Sequence, residues 1–302
     1  MKLGHSPRAA DSAGSALMLT LWALFLLSAA ILAWAEWIHH DLRMSGEATR
    51  SFEARAMARS GITMALHIAV SKYSPQLERD FGSELGYAVR MVGEAGKLNV
   101  NQLLQSEDPQ KLLIFKRWLE YKGLDFQERE TFLDCLLDYI DGDNVKRLNG
   151  VEDFGEYHPP NRPLQTIEEI AEVANAEFLT SKPGWKDDLT LFGSGRIDIS
   201  AASPDILRLL ELGDARIQNF LIMRAGRDGI DGTQDDPEVN EKFAQQAFGF
   251  DSNQIKRLSG LIVYKDQITR ITSIGHSGKV VRQVEVVAQK GSPNPPIYYW
   301  KE

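Results

Sequence analysis

Cysteine is nearly missing from this chain. Of 302 residues only Cys135 carries a thiol, so no intrachain disulfide can hold the fold. Its setting, Phe132-Leu133-Asp134-Cys135-Leu136-Leu137, is that of a buried helix face, which predicts core packing and not a reactive thiol. Clustered cations are missing too. The formal net charge is −8 and there is no Lys/Arg-rich run, which counts against a nucleic-acid reader that must displace condensed counterions. The chain also lacks a G-x-S-x-G elbow, an H-E-x-x-H pair, a G-x-G-x-x-G loop and a P-loop. His39 and His40 sit beside an apolar run, while His67, His158 and His276 are scattered, so no catalytic constellation emerges and no enzyme is expected.

What is present is a normal globular composition, 43% hydrophobic and 25% charged, at a length that suggests about two domains. Lys2, His5 and Arg8 precede a stretch from Ser12 to Ala35 without a single charge. At about 1.5 Å per residue that stretch crosses a hydrocarbon layer of roughly 30 Å, so it predicts one membrane span. The positive flank precedes it and Glu36 follows, which puts the later residues on the far side, the periplasm in a bacterium. A second reading stays open, a cleaved secretory signal ending at Ala33-Trp34-Ala35 with a mature start at Glu36. Against it stand the length of the apolar run and the helical pattern that continues past it. Ala48, Phe52, Ala56, Ile62, Leu66, Ala69 and Tyr73 recur at helical spacing among charged residues, which predicts one long helix, apolar first and amphipathic later, ended by Ser74-Pro75.

The run Gly14-Ser15-Ala16-Leu17-Met18-Leu19-Thr20, behind a short basic leader, looks like a type IV prepilin cleavage site. Cutting after Gly14 would leave Ser15 as the first mature residue and Leu19 as the fifth. Farther on come Gly96-Lys97-Leu98-Asn99-Val100-Asn101, then Leu137 to Asp143 with Arg147-Leu148-Asn149-Gly150 and Glu152, then Gly195-Arg196-Ile197-Asp198-Ile199-Ser200. In this order the motifs resemble the K-type minor pseudopilins of type II secretion, over most of the chain. Most pilin-like subunits carry glutamate at the fifth mature position, to pair with a neighbour's N-terminal ammonium inside an apolar bundle. Leu19 departs from that, and the departure is characteristic of the K type, because a buried carboxylate is costly without its partner. The resemblance implies cleavage and N-methylation by a prepilin peptidase, a single-pass place in the bacterial inner membrane, and a helical domain that holds calcium. It also implies other minor pseudopilins and the major pseudopilin as partners, no nucleic acid, and a role at the pseudopilus tip in starting or capping assembly and supporting protein export. The second glycine-led motif departs from the family's usual I-N-V-N-T-A and reads Ile197-Asp198-Ile199-Ser200-Ala201-Ala202.

The expected fold class is α+β: a long N-terminal transmembrane and amphipathic helix, then a pilin-like antiparallel sheet divided by a large all-α insertion. The expected divisions are a leader at 1–14, the helix at 15–75 with its span at about 15–35, and a first sheet part at 76–101. An all-α insertion at 102–258 and a second sheet part at 259–302 complete them. Tyr87 to Val92 alternates as a strand should. Helix starts are signalled by Asp108-Pro109, by Asp125 with Glu128, by Thr166 with Glu169 and by Ser203-Pro204. Leu261 to Tyr264 and Ile268 to Ile274 restore β character, Gly275 to Gly278 offers a hairpin turn into Val280 to Val287, and the Pro293 to Pro296 tail is expected to be loose.

Three segments invite a binding role. Asp141, Asp143, Asn149, Glu152 and Asp153 gather hard oxygens as calcium requires. Lys146 stands where an EF-hand needs its glycine, so spacing alone leaves a solvated acidic turn equally open. A second loop, Arg227 to Asp236, holds Asp228, Asp231, Asp235 and Asp236 with two glycines, and is likewise either a calcium loop or a flexible acidic one. Residues 196–225 resemble a helix-hairpin-helix. Its DNA-binding versions would make the chain a membrane-anchored DNA-uptake receptor, but Glu211 and Asp214 flank the turn and favour a packing unit.

Overall fold

The computed structural model describes residues 12–82 and 84–302; positions 1–11 of the leader expected at 1–14 lie outside the described residues, and 12–14 fall within a helix. Helix α1 runs from Ser12 to Leu66 without a break, about 80 Å at 1.5 Å per residue. Its apolar first half is exposed from Ala16 to Trp37, and it is long and apolar enough to cross a membrane. Its second half lies on a sheet. Strands β1 (Glu78–Asp80) and β2 (Leu85–Gly93) come first; β3 (Leu98–Asn99) and helices α2 (Val100–Leu104), α3 (Pro109–Tyr121), α4 (Phe126–Ile140) and α5 (Glu177–Thr180) follow. Next are β4 (Leu189–Thr190), β5 (Ile197–Asp198), α6 (Pro204–Arg208), α7 (Asp214–Arg224), α8 (Glu241–Phe248) and α9 (Ser252–Leu258). The chain closes with β6 (Ile262–Val263), β7 (Ile268–Ser277), β8 (Val280–Gln289) and β9 (Ile297–Lys301).

The main sheet is antiparallel throughout, in the order β1-β2-β7-β8-β9. Its central hairpin alternates cleanly: Ile271, Ser273, Gly275 and Ser277 point inward at α1, and Ile274 points out. The sheet-facing stripe of α1 is Ala54, Ala58, Gly61, Ile62 and Ala65, small residues that bring the two backbones close. At Gly61 a Cβ would run into Ser273, and at Gly275 into the α1 backbone itself, so both glycines are needed for the approach. Gly275 therefore lies inside β7, and the turn itself falls at Gly278-Lys279.

The amphipathic stripe expected at Ala48, Phe52 and Ala56 is displaced, for Phe52 is exposed and Ala54 and Ala58 are buried. The expected end of the helix at Ser74 is also corrected: α1 stops at Leu66. The Lys290 ammonium, from the end of β8, takes the carbonyl oxygens of Ala65, His67 and Val70, two of them at 2.6 and 2.5 Å. A cation that satisfies the orphan carbonyls ends the helix eight residues before proline would.

Everything between β2 and β7 is an insertion, and it begins at Glu94 and ends near Gln267, wider than the expected 102–258. It is mainly helical but not all-α, because β3 pairs with β4 and β5 with β6, both in parallel. Ile262–Val263 thus belongs to the insertion and not to the second sheet part, and the main sheet resumes at Ile268. Each glycine-led motif supplies one of these short strands and then a helix, with Asn99 capping α2 and Ser203 capping α6. The insertion has its own core around Phe115, Trp118, Phe132, Leu136, Phe220 and Phe248, separate from the core of α1 and the sheet. Cys135 is buried in that helical core, as expected. The tail is also corrected, since Ile297–Lys301 forms the fifth strand after the proline segment. Its neighbour Glu302 forks onto Arg59 of α1 at 2.8 and 2.7 Å.

Candidate functional site

The expected site residues fall into three regions. Gly14 and Ser15 occupy the first turn of α1, where side chains lie outside the described residues. Leu19 is exposed on the apolar half of α1, among Met18, Leu21 and Trp22. That surface offers apolar contact on all sides and no charge.

The first acidic loop follows α4, whose start is fixed by the Asp125/Glu128 capping box. Asp138, buried in the last turns of α4, accepts from the backbone N–H and guanidinium of Arg147. Arg147 also reaches Asp141 at 2.5 Å and Glu107 at 2.7 Å. Three carboxylates on one guanidinium drive its pKa far above the ordinary arginine value, against the cost of burial. Asp143 turns back on the Val145 N–H, and the Asn149 amide donates to Asp134 at 2.9 Å. Asp153 is exposed and pairs with His158. Glu152 differs from all of them: it is 9% exposed and neither carboxylate oxygen has a partner. Burial pushes its pKa up, and Asp138, Asp141, Asp143 and Asp153 push it further the same way.

Among the described residues no three His, Cys, Asp or Glu side chains converge as a ready metal cluster. The orphaned Glu152 carboxylate nevertheless fits a hard cation, because a partnerless buried acid amid four others is destabilised until a positive charge joins it. With Asp141 counted as the first position, Glu152 is the twelfth, where an EF-hand places its bidentate glutamate. That spacing is a signal that could have singled out Glu152 within the loop. Its neighbours' counter-ion, Arg147, had none.

The second loop is more self-contained. Asp231 forks onto the buried Arg224 at 3.0 and 2.8 Å, and Arg224 also holds the carbonyls of Ile199 and Ala202. Asp235 accepts from Arg227 N, Asp228 N and Thr233, which lowers its pKa to about 2. Asp228 is held by Ile230 N and Thr233. Asp236 binds Gly232 N and the hydroxyl of Tyr73, whose own pKa is pushed up to about 12 by burial and by Asp236, while its other oxygen is buried without a partner. Hydrogen bonds within the protein already occupy most of this loop, so it fits a cation less well than the first.

The hairpin between α6 and α7 is held from outside. Arg117 of α3 donates to the Leu209 carbonyl at 3.1 Å and pairs with Glu211 at 2.6 Å, while Arg208 pairs with Asp205 and Asp214. The acids flanking the turn are therefore paired with neighbouring arginines at the surface.

A junction that the sequence reading missed ties the insertion to the sheet. Glu94, 1% exposed, receives Arg270 Nε at 2.6 Å and the Thr190 hydroxyl at 2.6 Å, and Arg270 also reaches Glu285. Gly96 packs on the backbone of Ala201 and Ala202, so the two glycine-led motifs meet there.

Residues 96–178 match the family model for type II secretion system protein K. No curated protein matches the sequence. Among solved structures, a chain of the GspK-GspI-GspJ complex from the enterotoxigenic Escherichia coli type 2 secretion system has this fold, with a TM-score of 0.61 at 18% identity. The alignment covers 86% of this chain and 98% of that one. The likeness to type II secretion protein K thus lies in the first part of the insertion, and the fold as a whole is that of the solved chain.

Proposed function

We propose that this chain is a minor pseudopilin of the protein K kind from type II secretion, and that it stands at the tip of the pseudopilus, where it starts or caps assembly and supports export of folded proteins across the outer membrane. The observation that carries this reading is the insertion between β2 and β7, which makes up more than half the chain and adds a second core beside the sheet. A body of that size obstructs any subunit stacked above it. Leu19 supports the same placement, because a subunit with nothing above it needs no carboxylate to receive a neighbour's ammonium. In this reading a prepilin peptidase cuts after Gly14, Ser15 becomes the methylated N-terminus, and the apolar half of α1 anchors the chain in the inner membrane with the remainder in the periplasm. Packing of α1 then joins it to other minor pseudopilins, in keeping with the complex that the Escherichia coli GspK forms with GspI and GspJ, and to the major pseudopilin below.

Calcium belongs to this proposal as a structural ion at the first acidic loop, held by Glu152 with Asp141, Asp143, Asn149 and Asp153 as the candidate oxygens. Bound there, it would supply positive charge that links folding to extracytoplasmic calcium. The alternative of DNA uptake has less support, since Glu211 and Asp214 are ion-paired at the hairpin turn.

Two measurements test the reading. Mass spectrometry of the protein from native membranes should find a methylated Ser15 as its first residue; a start at Glu36 would remove the pilin reading altogether. Gold labelling of isolated pseudopili should find the chain at one end, and uniform labelling along the filament would refute the tip.

A further inference from the structure

The helix-hairpin-helix-like segment plays no part in the filament reading, yet it forms one wall of a groove. The hairpin at 209–216 faces α3 on one side and the stretch from Phe250 to Leu261 on the other, around a cavity of about 280 Å³. Its lining includes Leu113, Leu212, Phe250 and Leu258, and Leu113 is substantially exposed at its mouth. That volume is at the low end for ligand pockets, room for one or two side chains and not for a cofactor.

The polar groups around this apolar floor are lopsided. Arg117, Arg216 and Arg257 line the groove against one acid, Glu211, which is already paired with Arg117. Among the described residues neither Arg216 nor Arg257 has an ion-pair partner, in a chain whose formal net charge is −8. Unpaired guanidinium groups beside an apolar pocket match a ligand that brings carboxylates and an apolar side chain together. A nucleic-acid backbone fits less well, because it offers phosphates but nothing to fill the leucine-lined floor, and Glu211 stands at the turn that would have to meet it.

We propose that this groove docks an extended acidic segment of a partner protein, one bulky aliphatic or aromatic side chain seated among Leu113, Leu212, Phe250 and Leu258 and flanking carboxylates held by Arg216 and Arg257. The inference does not rest on the tip placement. It gives the helix-hairpin-helix-like unit a peptide in place of a phosphate.

The test uses the full chain in detergent micelles and a fluorescein-labelled Asp-Glu-Leu-Glu-Asp peptide, read by fluorescence anisotropy at low salt. Two twins serve as controls, one with glycine in place of leucine and one with lysines in place of the acids. The acidic leucine peptide should bind saturably, weaken with salt, and bind about tenfold tighter than the glycine twin. In the double variant Arg216→Glu/Arg257→Glu, both on exposed positions, the preference should reverse toward the lysine twin, a gain that misfolding cannot produce. The proposal is overturned by any of four results: no saturable binding of the acidic peptide, equal affinity for the leucine and glycine peptides, an unreversed preference in the double variant, or displacement of bound peptide by a DNA duplex that itself binds more tightly.

Discussion

Gly96→Ala is the sharpest perturbation of how the insertion is seated. A Cβ there would lie 2.5 Å from the Ala201 oxygen, 2.6 Å from the Ala201 carbonyl carbon and 2.9 Å from the Ala202 nitrogen. All three are backbone atoms, so no rotamer change relieves the overlap, and ordinary contact at about 3.5 Å requires a shift of roughly 1 Å. The turn that would have to move, Glu94–Gly96, also carries Glu94, whose bonds from Arg270 Nε and the Thr190 hydroxyl are both 2.6 Å long. Lengthened by about 1 Å, each passes the limit at which a hydrogen bond exists. Hydrogen bonds to charged groups contribute about 1.5–3 kcal/mol each, and overpacking itself costs about 1–3 kcal/mol. A loss on the order of 4 kcal/mol follows, about a thousandfold in the local opening equilibrium. Hydrogen exchange on the full chain should show that loss in amides 94–104 and 189–202, while β8 near Val286 keeps its protection. Gly46→Ala on α1 is the control, because nothing lies within 4 Å of its Cβ and alanine favours the helix. Protection within threefold of wild type at 94–104 would show that the two glycine-led motifs are not in contact.

Three further outcomes are expected. Gly275→Ala drives a methyl into the α1 backbone at Ala54 and Ala58, and should lift the helix from the sheet at a cost of about 3 kcal/mol, seen as lost exchange protection in residues 54–65 with the insertion core unchanged. Lys290→Met takes the ammonium from the Ala65 carbonyl in the last turn of α1 and from those of His67 and Val70 just beyond it, and should fray that turn by on the order of 2 kcal/mol; unchanged exchange at Ala65 to Val70 would remove Lys290 as the cause of the helix end. Glu152→Gln should raise thermal stability in chelator and abolish the gain produced by millimolar calcium. The sign follows from the raised pKa: the folded metal-free chain binds a proton that the unfolded chain has released, so its stability falls as pH climbs from the ordinary glutamate range through the raised value, and the glutamine variant should lose that slope. A calcium gain that survives in the variant would place the ion elsewhere.

Local signals were the legible ones. Asp108 with Pro109 and the Asp125/Glu128 box each act within four residues and open the expected helices, while Thr166 with Glu169 opens only a short 3-10 turn at Ile167–Glu172. The alternation in β2 and β7 was legible for the same reason. The end of α1 was not, because it is set by Lys290 more than two hundred residues away. Nor were the two-residue strands, whose pairing depends on bringing Leu98 to Leu189 and Ile197 to Ile262 across the insertion. At the acidic loops the carboxylates were visible but their counter-ions were not: Arg147 and Arg224 look like surface cations in sequence, and only the fold places them against Asp138 and Asp231.

The insertion leaves and returns at one place, since Gly93 at the end of β2 pairs with Thr269 near the start of β7. Two chain crossings side by side form a hinge unless something spans them. Glu94 on the outgoing strand, Arg270 on the incoming one, Thr190 from the insertion and Glu285 from β8 form that span, and Asp198 adds the Asp266 N–H at 2.9 Å. Desolvation makes such a buried ionic clasp a weak source of net stability, but breaking it from one side is costly, which suits a part whose purpose is to hold an angle. A body that swung freely could be pushed aside by the next subunit. One clasped to the sheet cannot, so the buried Glu94 and the tip role proposed for this chain belong to the same physical argument.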